Sequence, residues 1–199
     1  MIIIMAQGQG SRWGSGHFKH KISVPHPAYG DRHIGITGRQ IFQCNKAWLV
    51  PLVVGWSELL VTLEGDFDFL CLNDPGETLF EGIRQTYRYW DDVTTILLGD
   101  VIFSEDVFND VLMRPNGIRL IGRSGQNLVT GKKASEIFAL SFSSDKNQDI
   151  SGFSGGRLWD LEASSLRHDF VNIQDWTDDL DSPEEYDQFY EKLVEAARL

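Results

Sequence analysis

With 199 residues, 42% of them hydrophobic, the chain can bury one good core, and a single domain over residues 1–199 is expected. A net charge of −11 argues against nucleic acid or an anionic membrane as the main partner; no apolar run reaches spanning length, and the N-terminal run is too short, with no basic flank, for a signal peptide. Cys44 and Cys71 stand outside any metal or redox spacing, so a reducing cytoplasm is the expected location.

Ile2–Ala6 is a short apolar run that reads as the first strand, and it stops at Gln7-Gly8-Gln9-Gly10-Ser11-Arg12. A strand that empties into such a loop exposes backbone N–H groups, and glycines let phosphate oxygens come close to them. Arg12 adds a planar, permanently charged fork suited to phosphate, and Lys19 and Lys21 add point charges. This combination reads as a nucleoside triphosphate site. A Walker loop would need Lys and Ser/Thr after a second glycine, and a dinucleotide fingerprint would need a third glycine where Trp13 stands. The charge distribution agrees: residues 1–57 hold six basic residues and one acid, for +5, and the remainder carries −16. A basic patch around the loop is what a polyphosphate needs.

Farther along, residues 34–47 have helical spacing, with Ile34, Ile41, Phe42 and Cys44 turned inward, although Gly35 and Gly38 weaken it. Residues 59–63 and 67–72 read as strands. Gly76-Glu77-Thr78 opens a helix through Tyr89, carrying Leu79, Phe80, Ile83 and Tyr87 on one face, and Thr78 is a good N-cap residue. Val93–Leu98 is a strand that ends in Gly99-Asp100. Asp100 is either a turn residue ahead of the helix at 105–113 or a carboxylate for a hard cation, which takes one or two carboxylates plus phosphates. Residues 118–121 and 136–142 are further strands. Ser154-Gly155-Gly156 is a turn or an acceptor loop. A C-terminal helix follows Ser182-Pro183-Glu184-Glu185, a capping box with proline in the first helical position, and its inward residues are Tyr186, Phe189, Tyr190, Leu193 and Ala196. Alternating strands and helices imply a three-layer α/β/α, mainly parallel, Rossmann-like sheet whose ligands lie beyond the carboxyl ends of the strands. His17, His20, His26, His33 and His168 show no ligand spacing, and no Ser/His/Asp set is evident.

The N-terminal segment resembles the nucleotidyltransferase family with a glycosyltransferase-A-like fold. Ala6, Gly8, Gly10, Ser11 and Arg12 match its opening motif, Lys19 before Ile22-Ser23-Val24 fits its lysine, and Gln7 departs from the small residue usual there. Gly99-Asp100 after a central strand matches the family's metal-binding aspartate. The segment Asp179-Leu180-Asp181-Ser182-Pro183-Glu184-Glu185 is similar to the C-terminal motif of the small cytidylyltransferases and molybdenum-cofactor guanylyltransferases. Together the three matches span residues 1 to about 190, in family order.

The resemblance implies a Mg²⁺-dependent transfer of a nucleoside monophosphate from an NTP to a phosphorylated small-molecule acceptor, with release of pyrophosphate. It implies that Ala6, Gln7, Gly8, Gly10, Ser11 and Thr78 bind the nucleotide and that Arg12 and Lys19 neutralise the leaving pyrophosphate. Asp100 and Asp181 would hold the metal, with Asp179 in reserve and Asp178 without a role, so that Asp178→Asn would be near silent. A glycosyltransferase using a nucleotide sugar is the alternative, although Val101-Ile102 after Asp100 lacks its usual Asp-x-Asp; a non-catalytic nucleotide-binding relative is another.

Overall fold

The computed structural model describes residues 1–7, 35–72, 78–127, 131–180 and 182–196. Its centre is a seven-stranded sheet in the order β3-β2-β1-β4-β7-β6-β8. The strands are β1 (Ile2–Ala6), β2 (Leu52–Gly55), β3 (Asp68–Cys71), β4 (Val93–Leu98), β6 (Ile118–Arg123), β7 (Glu136–Ser143) and β8 (His168–Asn172). All the ladders are parallel except the two made by β7, which runs against both β4 and β6. A separate two-stranded ribbon pairs β5 (Val101–Ile102) with β9 (Asp178–Asp179).

Helices cover both faces, as expected of a mainly parallel sheet. β1 shows why: every residue of it is buried. Ile2, Ile4 and Ala6 point into a core with Ile41 and Cys44 of α1 (Ile36–Lys46) and Val107, Phe108 and Val111 of α3 (Glu105–Leu112). Ile3 and Met5 point into the opposite core, with Phe80 and Ile83 of α2 (Leu79–Gln85), Ile150 of α4 (Asn147–Ser151), and Leu158 and Leu161 of α5 (Leu158–Glu162). Alternation along a strand buried on both faces feeds two layers at once. A third cluster joins Ile36, Ile102 and Leu180 to Phe189 of α6 (Pro183–Ala196).

Several expectations change. Residues 59–63 are not a strand: Ser57–Thr62 is a 3₁₀ helix, and the strand lies earlier, at β2, directly after Pro51. Proline is admissible just ahead of a strand, where no ladder N–H is required. α2 is shorter than expected and is followed by a 3₁₀ turn at Tyr87–Tyr89, which leaves Tyr87 exposed. Phe42 and Tyr190 are exposed rather than inward. β8, β9, α4 and α5 have no counterpart in the sequence reading. Ile34 lies outside the described residues, as do residues 8–33.

Candidate active site at the carboxyl edge of the sheet

β1 and β4 are neighbours, in the register Met5↔Leu98. The ends of both strands, Ala6-Gln7 and Gly99-Asp100, therefore emerge side by side. Gly99 is required by proximity: its N–H donates to the Met5 carbonyl at 3.0 Å, and an added Cβ would lie 2.9 Å from that same oxygen and 3.0 Å from Ala6 Cα. No side chain fits, so the glycine before Asp100 is the condition for bringing the two strand ends together. Asp100 does not cap α3. That cap is Ser104, whose Oγ accepts from the Val107 N–H at 3.1 Å.

Ala6 is buried and Gln7 half-buried. Gln7 Nε2 donates to the Thr78 carbonyl at 3.4 Å, and Trp56 Nε1 donates to the Gln7 carbonyl at 3.1 Å. Thr78 itself caps α2 through a full capping box: its Oγ1 accepts from the Glu81 N–H, and the Glu81 carboxylate accepts from the Thr78 N–H at 2.8 Å. Gly156 lies against it, its carbonyl accepting from the Leu79 N–H at 3.2 Å. The structure thus brings Ala6, Gln7, Thr78 and the Ser154–Gly156 turn toward one edge. Gly8, Gly10, Ser11, Arg12, Lys19, Lys21, His17, His20 and Asp181 lie outside the described residues.

On the other side of Asp100 comes the return of the chain in β9. Val101 pairs with Asp179, Ile102 with Asp178, and the Leu180 N–H donates to the Asp100 carbonyl at 3.4 Å. The acidic segment thus runs beside the Asp100 turn from residue 178 to residue 180. Burial pushes the Asp179 carboxyl up to about 7; Lys132 opposes this, and the charges of Asp100 and Glu136 reinforce it. Lys132 Nζ sits 2.7 Å from Asp179 Oδ1 and 3.4 Å from Glu185 Oε2. Ser182 Oγ accepts from the Glu185 N–H at 3.2 Å as α6 begins at Pro183, as its capping signature foretold.

Asp178 has a structural place that the sequence did not show. It is buried against Arg123, 3.0 Å away, and it accepts a second hydrogen bond from Asn127 Nδ2 at 3.0 Å. It is the counter-ion of a buried guanidinium. Arg123, Asn127 and Lys132 were missed because only the β6–β7 hairpin brings them to β9. The signal present was a set of cations standing in an otherwise acidic half of the chain.

Asp100 and Asp179, close enough for the charge of one to act on the other, are both carboxylates, the ligand type a hard divalent cation selects. Among the described residues no three His, Cys, Asp or Glu side chains form a cage for an ion.

Similarity to solved structures covers nearly the whole chain. A homologue of Mycobacterium tuberculosis Rv0371c from Mycobacterium sp. strain JC1 superposes with a TM-score of 0.72 at 16% identity, over 98% of this chain and 96% of that one. The inositol-1-phosphate CTP transferase of T. maritima gives 0.64 at 13% identity, over 97% and 94%. The chain shares the fold of these proteins. HddC from Yersinia pseudotuberculosis, solved in complex with GMP-PN, has the same fold, with a TM-score of 0.65 at 14% identity over 96% and 98%. No model of a known protein family matches the sequence, and no curated protein matches it. No helix among the described residues is long and apolar enough to cross a membrane.

Proposed function

We propose that this protein is a nucleotidyltransferase that moves a nucleoside monophosphate from an NTP to a phosphorylated small-molecule acceptor. The observation that carries this reading is the juxtaposition of two strand ends: β1 runs into the glycine-rich segment, and its neighbour β4 ends in Asp100, half-buried at the same edge. Likeness of the whole chain to a CTP transferase supports it.

In the reaction, an acceptor phosphate oxygen attacks the α-phosphorus in line. The bond from that phosphorus to the bridging oxygen breaks, and pyrophosphate leaves with the electron pair. The protein contributes position and charge rather than a covalent nucleophile. Backbone N–H groups of Gly8, Gly10 and Ser11 would bind the phosphates, and Arg12 and Lys19 would neutralise the leaving pyrophosphate. Gln7, Ala6 and Thr78 would border the nucleoside. Asp100 and Asp181 would hold a Mg²⁺ ion, which when bound offsets the phosphate charge. Lys132 keeps a cation beside Asp179, so the acidic edge is partly compensated before any ligand arrives.

Isothermal calorimetry with each of the four NTPs and Mg²⁺, followed by ³¹P NMR with a panel of sugar and polyol phosphates, tests the reading. The expected result is Mg²⁺-dependent binding of at least one NTP and pyrophosphate release with an acceptor. No NTP binding at millimolar ligand refutes it. Binding of a nucleotide sugar with transfer of the sugar converts the reading to a glycosyltransferase.

A further inference from the structure

The inward face of α1 is not what its apolar residues suggest. Thr37, Gln40 and Gln43, three residues apart, are all buried, and each spends its donor on the chain that leaves β4. Thr37 Oγ1 donates to the Gly99 carbonyl at 2.8 Å. Gln40 Nε2 donates to the carbonyls of both Leu98 and Val101, each at 2.8 Å. A carboxamide nitrogen has two hydrogens, and here both are used on carbonyls that straddle Gly99-Asp100. With the Leu180 N–H on the Asp100 carbonyl, four successive carbonyls of the turn are held from outside it.

Gln40 Oε1 and Gln43 Oε1 are buried with no hydrogen-bond partner among the described residues. Burying a carboxamide costs free energy that bonding at the nitrogen alone does not fully offset. A helix that needed only to pack on the sheet would carry leucine there. Gln40 is therefore explained by its donors and by what they hold.

We propose that Thr37 and Gln40 are positioning residues for Asp100, fixing the turn so that its carboxylate is set for a divalent cation. The proposal rests on the reading of Asp100 as a metal ligand. An octahedral ion with ligands at about 2.0–2.1 Å tolerates little error in a carboxylate's position, and groups that orient a ligand typically control metal affinity by 10–100-fold.

The test is Mn²⁺ binding to the full chain, read by loss of the free-ion EPR signal, alongside thermal melting without metal. Thr37→Val and Gln40→Met remove the donors at nearly constant volume and are expected to weaken Mn²⁺ binding about 10–100-fold. Thr37→Ser, which keeps the hydroxyl, should bind as wild type. Gln43→Met is the control: it loses an equally buried bond, to the Phe103 carbonyl at 3.3 Å, beyond the turn. It should leave Mn²⁺ affinity unchanged, whatever its melting temperature. If Gln40→Met does not fold, Gln40→Asn, too short to reach both carbonyls, is expected to show the same loss. Wild-type affinity in Thr37→Val and in the Gln40 variant, or an equal loss in Gln43→Met, overturns the proposal. An Asp100→Asn variant that binds Mn²⁺ like wild type, or a wild type that binds none, overturns the metal reading beneath it instead.

Discussion

Replacing Asp178 by asparagine preserves shape and removes one charge, and the structure makes the consequence calculable. Asp178 is 1% exposed and Arg123 2%. The carboxylate accepts from Arg123 at 3.0 Å, from Asn127 Nδ2 at 3.0 Å and from the Asp179 N–H at 3.1 Å. Arg123 in turn donates to the Ala134 carbonyl at 3.2 and 3.3 Å and lies 5.5 Å from the centre of the Phe138 ring. In Asp178→Asn the guanidinium stays charged, because arginine does not release its proton in proteins, and it has lost its buried counter-ion. The new NH₂ group also faces a donor, whether it points to Arg123 or to Asn127. Removing one partner of a buried pair costs about 3–5 kcal/mol, a large share of the roughly 5–15 kcal/mol that stabilises a typical domain. Urea unfolding followed by tryptophan fluorescence measures this directly, with an unchanged m-value as the check on two-state behaviour. The paired replacement Arg123→Met with Asp178→Leu removes both charges and should recover most of the loss, since apolar replacement of a whole buried pair is often neutral. A loss below about 1 kcal/mol in Asp178→Asn, the range of an exposed pair, would refute the reasoning.

Three other perturbations have defined outcomes. Gly122→Ala places a Cβ 2.2 Å from the Glu136 carbonyl oxygen, where β6 and β7 shift register, so it should cost about 1–3 kcal/mol by overpacking and lower the melting temperature by several degrees in a thermal scan. Asp179, whose carboxyl burial raises from 3.8 to about 7, holds its proton in the folded chain where the unfolded chain has released it; its contribution to stability is full below pH about 4, falls as pH rises to about 7 and is flat above that. Urea titrations across that range should lose this slope in Asp179→Asn. Arg12→Ala and Lys19→Ala should each lower turnover about 10²–10³-fold, with Lys21→Ala milder; an essential Lys21 with a dispensable Lys19 would shift the loop register by two residues.

What the sequence made legible was whatever depends on local chemistry. Ile2–Ala6 announces itself because five apolar residues end at glycines, and Gly99-Asp100 because a glycine that must pass close to another strand stands at a strand end. Tertiary placement was not legible. His168–Asn172 carries no apolar alternation because β8 is an edge strand with partly exposed residues. The largely apolar stretch at 59–63 looks like a strand because a short 3₁₀ helix that buries Leu59 has no periodicity to betray it. Thr37, Gln40 and Gln43 lie at helical spacing, but nothing in a polar side chain at that spacing signals burial; only the carbonyls of the chain leaving β4 make these residues inward. Asp178 sat in a run of acids, and only the hairpin that delivers Arg123 and Asn127 makes it different from Asp179.

The distribution of buried polarity points to the same place as the strand ends. Both large cores are apolar, and the other buried polar side chains within the sheet and near α2, Thr86, Thr94, Thr95 and Ser141, are hydroxyls. Each buried carboxamide, guanidinium or carboxylate among the described residues has at least one bond in the β5–β9 ribbon or the chain flanking β5. Gln40 and Gln43 bond to residues 98–103, and Arg123 and Asn127 meet Asp178 on the partner strand of the ribbon. Buried groups of this kind are weak contributors to stability when an apolar residue could stand in their place. They fix geometry, because a buried donor held on its acceptor permits few alternative arrangements. A sheet that needed only to be stable would not gather them around β4, β5 and β9. Their concentration beside Asp100 marks the edge where position matters, which is where the strand topology alone had already directed a ligand.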